Sequence, residues 1–277
     1  MNVYALGASR NIGYDAALRL LAKGAHVTFL LRSPSVFDSD AAIQRFVTSG
    51  HVQIVQGDAL NSEDVAKGWE SAVQGGPVDL VLFTVGSIPK FHLTSGFKLD
   101  PVNLCTRALL NVLVTLPQSL RAPESQPEFV AISSLGLTQS SRKVLPLIYR
   151  PLYSVLLSSA HEDKLGMEYV LAYLSGRKWE GDEPSSEILP PGWKDDSRLL
   201  GPKELMKVVV LRPALYIGEE CRGDKVTKES GKEPYRVSDG NLQTPYSISR
   251  PDVAHFIVER LLPEWQRWQG TCVDLAY

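Results

Sequence analysis

A doubly wound α/β sheet, with parallel strands and helices on both faces, is the fold class that the sequence predicts. Three observations predict it. Strand-like and helix-like segments alternate from the first residues onward. The strand candidates are near-continuous apolar runs, as expected of strands buried on both faces. A glycine-bearing turn, Gly7 to Gly13, joins the first strand candidate to the first helix candidate.

The elements follow in order. Residues 2–6 are a short apolar run ending at Gly7, and residues 12–21 carry apolar side chains at helical spacing up to a Lys23-Gly24 stop. Residues 25–31 form a second apolar run rich in strand formers, residues 40–48 a helix, and residues 51–55 a third strand. The segment Asn61-Ser62-Glu63-Asp64 supplies a helix start rich in caps and acids, leading to Trp69 and Val73. A fourth strand over 78–85, a helix over 102–116 and a fifth strand over 129–133 come next. A long helix over 155–174, a sixth strand over 208–211 stopped by Arg212-Pro213, a helix over 250–262 and a closing strand over 271–275 complete the chain.

Residues 176–202 interrupt this alternation. They are rich in Pro, Gly, Asp and Ser, which reads as a surface insertion or a lid. Residues 219–241 have the same character, within a substrate-side region spanning 213–249. No internal repeat or interdomain linker is visible, so residues 1–277 read as a single domain with an elaborated C-terminal part.

Composition narrows the function. The 277 residues are 44% hydrophobic and 22% charged, an ordinary globular balance. A chain this long buries roughly 75% of its unfolded surface, so its core needs neither disulfides nor a metal. Against 29 basic side chains stand 31 acidic ones, and a net charge of −2 gives no electrostatic case for a nucleic-acid partner. Cys105, Cys221 and Cys272 form no CxxC pair and read as reduced thiols. The opening residues lack a basic leader and a cleavage site. The apolar stretch 145–157 is broken by Pro146, Arg150 and Pro151 and is too short to span a bilayer. The expectation is a cytoplasmic protein without membrane or nucleic-acid contacts. No metal-ligand spacing joins His26, His51, His92, His161 and His255, and neither a Walker pattern nor a GxSxG elbow is present.

The most informative residues are Leu6-Gly7-Ala8-Ser9-Arg10-Asn11-Ile12-Gly13. A dinucleotide site needs glycines in such a turn for tightness, for close approach of backbone to pyrophosphate and for helix-on-sheet packing. The helix start then offers free N–H groups and partial positive charge to the phosphates. Gly7 and Gly13 stand where a GxxxGxG pattern wants them, and Asn11 replaces the middle glycine. Asparagine tolerates a left-handed backbone better than most residues, so the turn survives the exchange. The second strand ends in Leu30-Leu31-Arg32-Ser33, without the acid that holds the ribose hydroxyls of NAD. Arg32, helped by Arg10, suits the 2′-phosphate of NADP(H) instead, unless Arg32 is merely a solvated loop residue.

These residues resemble the short-chain dehydrogenase/reductase superfamily of Rossmann-fold proteins, and more closely its atypical, NmrA-like branch. The first turn is similar to the superfamily's TGASRGIG motif with Leu6 and Asn11 substituted, and Leu30-Leu31-Arg32 to the branch's LVR segment. Gln56-Gly57-Asp58-Ala59-Leu60 resembles the segment whose aspartate meets the adenine. Phe83-Thr84-Val85-Gly86 stands where the family's NAG loop lines the cofactor. Ile132-Ser133-Ser134-Leu135-Gly136 resembles the fifth-strand serine segment, and His161-Glu162-Asp163-Lys164 with Glu168 a helix signature of the branch. Arg212-Pro213-Ala214 and Ile248-Ser249-Arg250-Pro251-Asp252-Val253-Ala254 match its late strand and last helix entry. The resemblance implies a cofactor site of Gly7, Ser9, Arg10, Asn11, Ile12, Gly13, Arg32, Asp58, Ala59, Val85, Gly86, Ser133, Lys164 and Pro213, taking NADP(H).

The family's catalytic pair is a tyrosine four residues before a lysine, on one helix face. Lys164 fits the lysine, but Ala160 occupies the tyrosine position. Ser133 or Ser134 can polarise a carbonyl oxygen by donating a hydrogen bond. The proton then comes from water, from His161, which titrates near neutrality, or from a displaced Tyr149 or Tyr153. His161 has a structural alternative as a packed helix residue. Two functions stay open: an NADPH-dependent reductase of a small carbonyl, imine or activated alkene, and an NADP(H)-binding redox-sensing regulator that signals to a protein partner without turnover. Trp179 and Trp193 either cap an apolar substrate pocket or pin the insertion to the core. The apolar faces at 102–116 and 155–174 either form a homodimer interface or pack on the sheet.

Overall fold

Twelve strands are defined among the residues that the structure, a computed structural model, describes: 1–86, 90–92, 96–98, 100–137, 158–225, 233–240 and 242–277. In chain order these are β1 (Asn2–Leu6), β2 (His26–Leu31), β3 (Val52–Gln56), β4 (Leu80–Phe83), β5 (Lys90–His92), β6 (Gly96–Lys98), β7 (Glu128–Ile132), β8 (Val208–Pro213), β9 (Leu215–Tyr216), β10 (Arg236–Ser238), β11 (Ser247–Ile248) and β12 (Cys272–Ala276). The helices are α1 (Asn11–Ala22), α2 (Ala41–Thr48), α3 (Ser62–Ala72), α4 (Leu104–Val114), α5 (Ser158–Ser175), α6 (Arg250–His255) and α7 (Trp265–Trp268).

Eight strands form one sheet in the order β10-β12-β8-β7-β4-β1-β2-β3. All its pairings are parallel except that of β10 with β12. From β1 the chain winds outward through β2 and β3, then returns to add β4 on the other flank. The strand order therefore reverses between β1 and β4, and a crevice opens beyond their carboxyl ends.

Strand side chains alternate between two cores, as a sheet covered on both faces requires. Val3 and Ala5 of β1 join the core that includes α1 and α6, whereas Tyr4 and Leu6 join the core that includes α3, α4 and α5. In β8, Val209 and Leu211 belong to the first core and Val208 and Val210 to the second. Tyr4 is fully buried and its hydroxyl donates to the Val65 carbonyl at 3.0 Å. A Cβ on Gly68 would lie 2.1 Å from that hydroxyl, so glycine is what lets α3 pack here.

The expected alternation of elements is observed, with three differences. β4 ends at Phe83 because Thr84 turns to donate its hydroxyl to the Leu6 carbonyl at 3.0 Å. The last long helix keeps α-geometry only through His255 and continues as a π-helix over Phe256–Leu261. The short pairs β5–β6 and β9–β11 carry too few residues for a sequence pattern to register. Residues 155–157, the start expected for the long helix, lie outside the described residues. Among the described residues no helix is long and apolar enough to cross a membrane.

Residues 176–202 lie against α5. Trp179 and Trp193 meet Tyr169 edge-on at centroid distances of 5.4 and 6.1 Å. The Lys194 ammonium sits over the rings of Tyr169 and Tyr173 and donates to the Tyr169 hydroxyl at 3.0 Å and to Glu183 at 3.2 Å. Ile188, Leu189, Leu199 and Leu200 are buried. The segment packs on α5, and among the described residues none of its side chains lines the crevice. The apolar faces of α4 and α5 pack on each other and on the sheet, through residues such as Leu109, Val112, Met167 and Val170.

Candidate active site

The crevice at the β1/β4 switch holds two adjoining cavities that share Gly7, Arg10, Val85 and Gly86. The first, about 270 Å³, runs over the ends of β2 and β3 and is lined by Ser9, Arg32, Asp58 and Ala59 among others. The second, about 330 Å³, runs over β4 and β7 and is lined by Asn11, Ile12, Gly13, Ser133, Ser134, His161 and Lys164 among others. Each residue of the cofactor site implied by the resemblance, together with Ser134 and His161, lines one of the two except Pro213. That residue is displaced from the wall because its carbonyl accepts the Leu135 N–H at 3.0 Å, tying β8 to the β7 turn. Ala214, Leu215 and Tyr216 line the cavity in its stead.

The turn is built by local constraint. Gly7 has φ 73°, and a Cβ there would lie 2.5 Å from the Val85 amide nitrogen and 2.6 Å from the Thr84 carbonyl carbon. Only glycine lets β1 end this close to β4. A Cβ on Gly13 would meet Thr84 Oγ1 at 2.2 Å, which fixes how closely α1 approaches the sheet. Asn11 takes φ 57°, the left-handed backbone that asparagine adopts more readily than other non-glycine residues. Arg10 precedes α1 in extended conformation and makes no side-chain cap, so the first N–H groups of this twelve-residue helix face the cavity unblocked.

Charge around the first cavity is one-sided. Arg10 and Arg32 line it, and among the described residues neither forms an ion pair. Asp58 is the one carboxylate in the wall, with Oδ1 accepting the Leu60 N–H at 2.9 Å. An open helix start and a turn without side-chain bulk fit a dinucleotide, and the two guanidinium groups, which form no ion pair among the described residues, add positive charge to its wall.

The second cavity is organised by α5. Lys164 Nζ donates to the Val85 carbonyl at 2.9 Å and to the Ile132 carbonyl at 2.6 Å, bridging the ends of β4 and β7. Its neighbour Asp163 is fully buried and accepts the N–H groups of Cys105 and Thr106 at 2.7 and 2.8 Å, capping α4 from another helix. Thr106 returns its hydroxyl to the Asp163 carbonyl at 2.7 Å. A Cβ on Gly166 would lie 2.6 Å from Thr106 Oγ1, so α4 and α5 touch here almost backbone to backbone. The cap fixes the α5 turn from which Lys164 reaches the strand ends. Cys105 also lines the cavity, but burial pushes its thiol up to about 12 and leaves it inert.

Behind Ser133 lies a buried charge cluster. Burial opposes ionisation of Glu168, yet the Arg212 guanidinium prevails and holds its carboxyl below the usual range. Arg212 binds it in a fork, at 3.0 Å through Nε and 2.5 Å through the terminal nitrogen. Ser133 Oγ lies beside this carboxylate without a well-formed hydrogen bond. His161 is 3% exposed and lines the cavity next to Ala160, where the resembling family carries its tyrosine. Tyr149 and Tyr153 lie outside the described residues. Among the described residues no group of His, Cys, Asp and Glu is placed to hold a metal ion.

Sequence reasoning missed Asp163, Cys105, Tyr216 and Arg250 as parts of this site. Asp163 and Arg250 were visible only as members of quoted motifs, and nothing local tells a helix-capping acid from a solvated one.

No family model matches the chain. The chain is 24% identical to the reductase PytE of Aspergillus terreus over 272 residues, covering 93% of this chain and 90% of that protein. It is 28% identical to the oxidase PynE of Aspergillus niger over 200 residues, covering 63% of this chain and 71% of that protein. Among solved structures it resembles ChuY, an anaerobillin reductase from Escherichia coli O157:H7, with a TM-score of 0.58 and 17% identity over 99% of this chain and 96% of that one. An alcohol dehydrogenase from Thermococcus sibiricus, complexed with 5-hydroxy-NADP, gives a TM-score of 0.60 and 13% identity over 100% of this chain and 96% of that one.

Proposed function

We propose that this protein, which has the Rossmann fold of short-chain dehydrogenase/reductase-type proteins, is an NADP(H)-dependent reductase of a small organic carbonyl, imine or activated alkene. The observation that carries the reading is the second cavity, where the phosphate-type turn at Gly7, the Lys164 ammonium and the Ser133 hydroxyl meet in one space. When bound, NADPH would supply the hydride. The chain's own residues do the rest. Arg10 and Arg32 hold the 2′-phosphate, and the α1 start holds the pyrophosphate. Lys164, already fixed to two strand-end carbonyls, would have a third N–H to offer a hydroxyl of the cofactor's ribose. Ser133 or Ser134 donates to the oxygen or nitrogen on which negative charge develops. His161 or water returns the proton. The similarity to a protein named a reductase over nine-tenths of the chain supports the same reading.

One observation favours a second reading. Ala160 lines the cavity one helical turn before Lys164 and carries no proton to give, which suits a protein that binds NADP(H) and reports its redox state without turnover. A single experiment separates the two. NADPH fluorescence is followed with protein in excess, before and after a panel of aldehydes, ketones, imines, quinones and enones is added. Enhanced emission on mixing, then decay with one substrate class that Lys164→Ala slows at least 100-fold, is the outcome expected of a reductase. Emission that persists through the whole panel favours the regulator, and no enhancement at all removes both readings.

A further inference from the structure

The wall of the second cavity carries more positive charge than the proposed cofactor uses. Its cations are Arg10, Lys164 and Arg250, and its one acid is Asp163. Asp163 is fully buried with both carboxylate oxygens accepting N–H groups of α4, so it offers nothing to a ligand. Arg10 belongs to the turn and is shared with the first cavity. Lys164 is committed to two carbonyls. Arg250 is different. Its guanidinium lies 4.6 Å above the Tyr216 ring, and among the described residues it forms no ion pair. It is half-buried at the junction of β11 and α6, beside the β9 segment Leu215–Tyr216. Leu215 and Tyr216 of β9 line the same wall as Arg250. The wall around Arg250 is thus one stacked cation set among large apolar side chains.

A guanidinium stacked on an aromatic face keeps its N–H edge in plane for an anion, and a planar carboxylate matches that edge with two parallel hydrogen bonds. We propose that Arg250 is a specificity-determining residue that receives a carboxylate of the substrate, so that the substrates are apolar organic acids carrying the reducible bond. The proposal rests on the reductase reading and names its substrate class. The rival source of the same anionic chemistry is the cofactor's pyrophosphate, since α6 packs beside α1.

The test uses the full chain with NADPH and a panel of aromatic and aliphatic oxo acids and enoic acids, each paired with its methyl ester. Three quantities are measured for wild type, Arg250→Gln and Arg250→Lys: the Kd for NADPH by fluorescence, the KM for each acid and ester, and the binding of each to the NADP⁺ complex by calorimetry. In wild type at least one acid should bind 10-fold or more tighter than its ester. That preference should vanish in Arg250→Gln and survive in part in Arg250→Lys, with NADPH Kd within 3-fold of wild type in both. If no acid outbinds its ester in wild type, the proposal is overturned. If Arg250→Gln weakens NADPH 10-fold or more and leaves the acid preference intact, the guanidinium serves the pyrophosphate and the proposal is overturned again. Failure of wild type to bind NADPH at all would instead strike the reductase reading, before any acid is added.

Discussion

Asn11 and Gly7 solve one problem in two ways. Both sit at positive φ, 57° and 73°, but only Gly7 lies so near β4 that any Cβ would strike backbone. Asparagine is therefore tolerated at one position of the turn and excluded at the other, which is why a sequence lacking the middle glycine still builds the cradle. Arg32 is a simpler case. Its guanidinium stands exposed at the end of β2, in the wall of the first cavity, and among the described residues it answers no carboxylate. A charge-assisted hydrogen bond contributes about 1.5–3 kcal/mol. Arg32→Ala should then raise the Kd for NADPH by roughly 10- to 100-fold. The Kd for NADH, which lacks the 2′-phosphate, should stay within about twofold, both values being read from fluorescence titrations. Equal losses for the two nucleotides would place Arg32 outside the phosphate site.

At the scale of elements, β12 carries a cost that the sheet accepts in order to seat its neighbour. Asp274 lies opposite Arg212 in the β12/β8 register and is 1% exposed. Burial raises its carboxyl to about 6, although the Leu242 N–H and Arg212 work the other way. With the folded value above the ordinary 3.8, the unfolded chain releases this proton first as pH rises. Stability from this group is therefore complete below about pH 4, falls between about 4 and 6, and stays low above that, a loss of about 2–3 kcal/mol. Asp274→Asn keeps an oxygen for the Leu242 N–H and cannot ionise. It should be the more stable protein in urea unfolding at pH 7.5, with the difference shrinking as pH falls from 6 and closing below about pH 4. A variant less stable than wild type at pH 7.5 would mean that the ionised carboxylate is a net-favourable partner of Arg212. The same scale shows what a sequence makes legible. Buried parallel strands and amphipathic helices announce themselves, because every residue of the element repeats the signal, and so β1 through β4, α1 through α5, β7 and β8 could be read in order. Arg10, Arg32 and Ser133 stand at element ends and Lys164 inside α5, each where motif and position coincide, and the cavities collect them. Asp163 and Arg250 escaped because their roles depend on partners 57 and 34 residues away, the α4 amides and the Tyr216 ring, and local pattern holds no such information. The late β9, β10 and β11 are two or three residues each and are fixed by tertiary pairing alone.

The whole molecule separates binding from bracing. All the residues around the two cavities come from the carboxyl edge of the sheet and the helices that start or pass there. The insertion over 176–202 packs instead on α5, with Trp193 edge-on to Tyr173 at 5.2 Å and the exposed Lys194 over the same rings. Tyr169, one helical turn beyond Lys164 and Gly166, is the point where bracing meets the helix that shapes the site. Aromatic contacts of this kind contribute about 0.5–1.5 kcal/mol each beyond the area they bury. A half-buried tryptophan adds a comparable hydrophobic share. Trp193→Ala should therefore lower the unfolding free energy by about 1–3 kcal/mol, measured by urea denaturation. It should leave NADPH affinity and the ranking of substrates unchanged, since no atom of the insertion among the described residues reaches the crevice. A changed substrate ranking at unchanged stability would mean that the segment leaves α5 to close over the cavity, and that bracing and selection are one function in this fold.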